Sequence, residues 1–252
     1  MLNIINESST RIKTGVVLFI AMLVIGYIDS YFIFWLVFGI MLMISISEAK
    51  KLFGLKSDSI YVYTSLLWIA AYFYPKPEDL VFIVAIAYAS QLAYKKTLNV
   101  HMFLPLLYPT ASFLFLLSLY SEYGSMTLLW LLVIVASTDI GAYFVGKSIG
   151  KTKFCETSPN KTLEGVIGGV IFAVILGALF SINEVGFINS LIISAVVSVA
   201  SIFGDLFESY LKREADVKDS GSILPGHGGI LDRTDGYLFG AIFMLVLLRV
   251  VI

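Results

Sequence analysis

The chain has 252 residues, 58% of them hydrophobic and only 14% charged, with a formal net charge of −1 and a mean hydropathy of +0.90. Soluble domains carry roughly 25% charged and 45–50% apolar residues, so this composition excludes an ordinary globular core in water and points to a bilayer as solvent. The single cysteine, Cys155, excludes an internal disulfide, and no Cys/His cluster has zinc spacing.

A helix that crosses a bilayer core needs about 20 mostly apolar residues. Nine runs approach that pattern: 15–28, 31–46, 60–74, 80–94, 103–119, 126–145, 165–182, 187–210 and 236–252. The third and fourth are short, and Tyr74-Pro75-Lys76-Pro77 separates them. The first follows a polar stretch, lacks a small-residue cleavage pattern and is succeeded by more such runs. It reads as a membrane helix and not as a removed signal peptide. The expected architecture is an all-α, polytopic integral membrane protein with about nine transmembrane helices.

Lysine and arginine set the orientation. With the N-terminus in the cytoplasm and nine alternating spans, 15 of the 17 basic residues fall inside, among them Arg11, Lys13, Lys50, Lys51, Lys95, Lys96, Lys161 and Lys212. Only Lys76 and Arg249 fall outside. Adding or removing one central span destroys this asymmetry. The C-terminus is therefore expected outside, and two polar loops, 146–164 and 212–235, are expected in the cytoplasm.

The spans up to residue 132 carry almost no ionisable group, whereas Asp139, Glu164, Asp205, Glu208, Asp232 and Asp235 lie in or beside the later ones. An ionisable group inside a span costs several kcal/mol and usually faces a cavity or a partner; the plainer alternative is a helix end reaching water. The chemistry is therefore expected in residues 125–252, a C-terminal catalytic helix bundle. Residues 1–124 are expected to be scaffold or dimerisation helices.

Asp205, Glu208, Ser209 and Lys212 fall at i, i+3, i+4 and i+7, on one helical face. Lys212, Arg213 and Lys218 place positive charge where a phosphate could sit, or are ordinary positive-inside residues. In Pro225-Gly226-His227-Gly228-Gly229, the glycines allow positive φ and close approach of backbone N–H groups to an anion. His227 there suits a phosphate contact or a structural hydrogen bond better than metal ligation. Asp232 and Asp235 stand at the start of the last span, either as helix-end acids or, with Asp205, as oxygen ligands suited to Mg²⁺. Asp219 is a further candidate ligand. In the earlier loop, Ser158, Lys161 and Thr162 could contact phosphate oxygens, while Gly165, Gly168 and Gly169 allow close helix packing. Alternatively Ser158 caps the next helix, with Pro159 in its first position.

Ser209-x-x-Lys212-Arg213, Lys218-Asp219-x-Gly221, Pro225-Gly226-His227-Gly228-Gly229 and Asp232-Arg233-x-Asp235 together resemble the signature of the phosphatidate cytidylyltransferase, or CDP-diacylglycerol synthase, family. Asp139-x-Gly141-Ala142-Tyr143-x-x-Gly146 and the segment from Ser158 to Gly169 resemble it too. The resemblance covers roughly residues 136–235; the N-terminal spans match only in hydropathy. It implies a Mg²⁺-dependent nucleotidyltransferase that makes CDP-diacylglycerol and pyrophosphate from CTP and phosphatidate. It also implies a homodimer in the membrane lipid, expected here in a bacterial inner membrane with the site facing the cytoplasm and no nucleic-acid partner. The residues it implies as catalytic are Asp205, Asp232, Lys212 and His227. Ser158, Lys161, Thr162, Ser209, Arg213, Lys218, Gly228, Gly229 and Arg233 would contact substrate. Asp205 and Asp232 would hold metal, Asp219 and Asp235 would assist, and K⁺ could accompany Mg²⁺. Two other readings compete: a cytidylyltransferase for another lipid phosphate, and a transporter of anionic metabolites using Asp139 and Asp205 as coupling acids.

Overall fold

The computed structural model describes the chain apart from Met1 and residues 96–98, and describes residues 2–12 by their backbone alone. Lys96 and the side chain of Arg11, both counted as inside charges, lie outside the described residues. Among the described residues there are helices and no strands. In chain order the α-helices are α1 (Leu2–Ile28), α2 (Tyr31–Leu52), α3 (Ser59–Phe73), α4 (Leu80–Lys95), α5 (Phe103–Pro105), α6 (Ser112–Tyr123), α7 (Ser125–Ile149), α8 (Leu163–Leu179), α9 (Phe187–Glu214) and α10 (Leu231–Val251). Each of the nine apolar runs falls on helical structure. Among the described residues, five segments are long and apolar enough to cross a membrane: α2, Val100–Tyr123, α7, α9 and α10. Lys13–Ile28, α3 and α8 are shorter apolar helices.

Two departures from the apolar runs have physical causes. First, helices continue past the runs into polar sequence. α1 begins at Leu2, α2 takes in Glu48, α9 reaches Glu214 and α10 begins at Leu231. Lys, Glu and Arg are good helix formers, so loss of hydropathy does not end a helix. Second, the run 103–119 is not one regular helix. Pro105 and Pro109 lack the N–H that would continue the hydrogen-bond ladder, and Tyr108 adopts φ −140° and ψ 116° between them. The regular helix α6 starts only at Ser112.

The contacts divide the chain into two compact units, Met1–Ser118 with Glu214–Arg233, and Leu119–Arg213 with Thr234–Ile252. The last polar loop clusters with the N-terminal helices in the first unit. In the first unit, α2 and α3 are tied by a reciprocal pair: Trp35 Nε1 donates to the Trp68 carbonyl at 2.9 Å, and Trp68 Nε1 to the Trp35 carbonyl at 3.1 Å. Gly39 makes room for this, since a Cβ there would lie 2.3 Å from Trp68 Nε1.

In the second unit, α7 and α8 meet along a glycine seam. A Cβ on Gly165 would lie 2.8 Å from the Ala142 carbonyl, and one on Gly169 would lie 2.6 Å from the Thr138 carbonyl. Gly168 faces Val145 as closely. These three glycines do what their spacing suggested. Thr138 Oγ1 and Ser198 Oγ lie 2.7 Å apart, linking α7 to α9. Arg249 Nε donates to Glu122 at 2.9 Å, so this outside-assigned cation has an ion-pair partner.

Candidate functional site

In the first unit the Gly-rich turn is built from the inside out. Leu224 N–H donates to the Gly228 carbonyl at 2.9 Å and His227 N–H to the Leu224 carbonyl at 2.8 Å. Gly226 and Gly228 sit at φ +75° and +82°, a region open mainly to glycine. A Cβ on Gly228 would also lie 2.5 Å from Asp232 Oδ2. Asp232 Oδ2 accepts three hydrogen bonds: from Gly229 N–H at 2.7 Å, Ser220 N–H at 2.9 Å and Ser220 Oγ at 2.9 Å. Asp232 thus holds the loop against the start of α10. Arg233 Nε donates to the His227 carbonyl at 2.8 Å. Lys218, Asp219, His227, Gly228 and Arg233 line a cavity of about 490 Å³. That is a size for a small ligand, and Lys218, Arg233 and the adjacent His227 suit an anionic one. Gly228 lines the cavity, whereas Gly229 turns its N–H onto Asp232.

Glu48, from α2, is part of this arrangement and was not among the sequence candidates. It is 3% exposed. Its carboxylate accepts from Ser220 Oγ at 3.2 Å, Ile230 N–H at 3.0 Å and Leu231 N–H at 2.9 Å. The last two are donors at the start of α10, where a helix has no internal partners for them. The one available signal was an acid two residues beyond the apolar run 31–46.

In the second unit, Lys161 Nζ lies 2.5 Å from Asp205 Oδ2, and Ser209 Oγ donates to Asp205 Oδ1 at 3.3 Å. One helical turn on, Lys212 Nζ pairs with the fully buried Glu208 at 2.7 Å. Asp235 hydrogen-bonds with the Glu208 side chain and lies within electrostatic reach of Asp205. The one-face spacing of Asp205, Glu208, Ser209 and Lys212 therefore produces real neighbours. Arg213 is exposed at the end of α9.

The loop before α8 corrects one expectation. The cap is Thr162, whose Oγ1 accepts from Gly165 N–H at 3.1 Å, and not Ser158. Ser158 instead closes a turn, its carbonyl accepting from Lys161 N–H at 3.0 Å. An isolated bridge between Lys153 and Thr162 keeps residues 158–161 out of the helix. Glu164 secures the other end of the loop, accepting from Lys151 N–H at 3.1 Å and from Thr152 Oγ1 at 2.8 Å.

Among the described residues no three His, Cys, Asp or Glu side chains converge as a protein-only metal cage. A hard divalent cation bound through phosphates needs no such cage: one or two carboxylates complete its shell together with phosphate oxygens and water. Asp205, Asp219, Asp232 and Asp235 are oxygen donors of that kind, so the chemistry of the donor set fits.

Comparison with known proteins gives a consistent picture. The model of the "Cytidylyltransferase family" matches residues 9–251. The chain is 44% identical over 245 residues to a phosphatidate cytidylyltransferase of Helicobacter pylori, covering 96% of this chain and 92% of that protein. It is 50% identical over 131 residues to the phosphatidate cytidylyltransferase of Bacillus subtilis, covering 50% of this chain and 49% of that one. It is 42% identical over 145 residues to that of Thermotoga maritima, covering 54% of each.

Proposed function

This chain belongs to the cytidylyltransferase family, and from that premise we propose that it transfers CMP from CTP to phosphatidate, yielding CDP-diacylglycerol and pyrophosphate for phospholipid biosynthesis. The observation that carries this reading is the 44% identity over 245 residues to a protein named for that reaction. A phosphate oxygen of phosphatidate attacks the α-phosphorus of CTP. The new P–O bond forms as the bond to the bridging oxygen breaks, and pyrophosphate leaves with that electron pair. Both reactants and the leaving group are anions, so positioning and charge neutralisation dominate catalysis.

Lys218, His227 and Arg233 border a cavity sized for a small anionic ligand, and we assign them to phosphate oxygens. Lys161, paired with Asp205, neutralises charge on the reacting groups, with Ser158, Thr162, Ser209, Lys212 and Arg213 as accompanying contacts. Mg²⁺, with Asp205 and Asp232 as ligands, Asp219 and Asp235 as the next candidates and K⁺ alongside, would when bound neutralise the triphosphate further.

Phosphatidate keeps its acyl chains in lipid while CTP arrives from water. A site at the cytoplasmic face of a bacterial inner membrane serves both, and a homodimer of nine-span protomers with N-terminus in and C-terminus out is the assembly proposed. The division of basic residues, 15 against 2, supports that topology. A reporter fused after Ile252 is expected to register outside the cytoplasm, and one inserted within 151–160 inside it. Reversed signals at either position would refute the span count.

The test of the activity uses detergent-purified protein with radiolabelled CTP. Phosphatidate and Mg²⁺ together are expected to yield lipid-soluble label with equimolar pyrophosphate. Chelation of Mg²⁺ is expected to abolish it. Label incorporated only with an isoprenyl phosphate would move the lipid substrate to another class.

A further inference from the structure

Glu48 stands outside the segment that carries the signature motifs, yet three donors of that segment converge on its carboxylate. Ser220 Oγ, Ile230 N–H and Leu231 N–H all donate to it. Two glycines of the motifs are shaped by its presence: a Cβ on Gly221 would lie 2.5 Å from Glu48 Oε1, and one on Gly229 would lie 2.4 Å away. Ser220 is shared, since the single proton of its hydroxyl lies between two carboxylates, Asp232 Oδ2 at 2.9 Å and Glu48 Oε2 at 3.2 Å. Both ends of the loop, at Ser220 and at Ile230–Leu231, are therefore pinned to one buried side chain of α2. Between those pins lie His227 and the glycine turn, and Lys218 and Arg233 flank them at the cavity.

We propose that Glu48 is a positioning residue for the nucleotidyl-transfer site: it holds loop 218–230 in the shape that presents Lys218, His227 and Arg233 to the anionic substrate. This rests on the proposed function for the identity of that substrate. A buried backbone N–H without an acceptor is strongly disfavoured, and only a full carboxylate supplies acceptors to all three donors at once. Glutamine has one acceptor oxygen, and its amide would turn an N–H₂ toward at least one of these donors.

The test uses the full chain in detergent and compares Glu48→Gln, Glu48→Asp and Ser220→Ala with the wild type. Amide hydrogen exchange of peptides covering 218–231 is expected to speed up in Glu48→Gln while peptides from α7 exchange as before. Apparent KM for CTP is expected to rise about tenfold, the scale of one lost charged hydrogen bond, with kcat changing far less. Glu48→Asp restores the charge and is expected to recover part of both effects. Ser220→Ala removes one donor without stranding a buried charge. It keeps the test open should Glu48→Gln fail to fold, and is expected to shift both readings in the same direction but less. Wild-type exchange in 218–231 for the variants that fold would overturn the proposal. So would a general rise in exchange with an unaltered KM, because that is loss of global stability alone. The exchange reading needs no turnover, so it stands or falls apart from the substrate assignment.

Discussion

Replacing Lys161 by alanine is expected to lower turnover about a hundredfold, the scale for loss of one preorganised charge partner, while yield and thermal stability stay near wild type. The backbone sets the position of this lysine on both sides. Its N–H donates to the Ser158 carbonyl, its carbonyl accepts from Phe154 N–H at 2.9 Å, and Thr162 caps α8 immediately after it. Its pair with Asp205 is not sealed from solvent: the two side chains are 27% and 35% exposed. Ion pairs of that kind add about 0–1 kcal/mol to stability, so a large loss of turnover would not be a folding effect.

Lys212 makes a poorer test, because its partner Glu208 is fully buried. Removing Lys212 strips that carboxylate of its cation and costs stability directly. Lys161→Arg keeps the charge and is expected to retain part of the activity. Near-normal turnover of Lys161→Ala with CTP and phosphatidate would leave Lys161 as a topology signal only.

The contrast between these lysines marks how much of the molecule was legible in its sequence. Helical content followed from hydropathy, because apolar runs of this length have few alternatives in a bilayer. The glycine seam of α7 and α8 was legible too, since small residues at that spacing imply backbone approach. The pairing of Lys212 with Glu208 lay within one helical period. Helix ends were not legible where polar residues continued a helix past its apolar stretch, and that is how Glu48 was left out of α2. Its role could not be read locally in any case, since its donors at Ser220, Ile230 and Leu231 lie 172 to 183 residues away along the chain. The backbone freedom of the Gly-rich turn was legible, and Gly226 and Gly228 use it at positive φ. Which of its N–H groups are already committed, as Gly229 is to Asp232, depends on partners that no spacing rule names.

Asp205→Asn and Asp232→Asn are expected to reduce turnover by roughly a hundredfold or more, as loss of a direct metal ligand does, and to raise the Mg²⁺ concentration needed for half-maximal activity. Asparagine keeps the size and an acceptor oxygen but removes the charge. At Asp205 that oxygen can still accept from Ser209 or Lys161, whose bonds now reach Oδ1 and Oδ2. At Asp232 it can take the place of Oδ2, where Gly229 and Ser220 donate, so the loop keeps its anchor. A purely structural carboxylate at Asp232 should therefore tolerate the change, because asparagine serves such backbone donors about as well as aspartate does, and at Asp205 the partly exposed ion pair with Lys161 adds only about 0–1 kcal/mol. A metal ligand should not. Mg²⁺-dependent binding of CTP, measured without the lipid substrate, gives a second reading that does not depend on turnover. It is expected to weaken in both variants while Mg²⁺-independent thermal stability is kept. Full activity of Asp205→Asn and Asp232→Asn, with wild-type dependence on Mg²⁺, would remove the metal assignment. Asp232 would then remain as the anchor of the Gly-rich loop, and Asp205 as the counter-ion of Lys161.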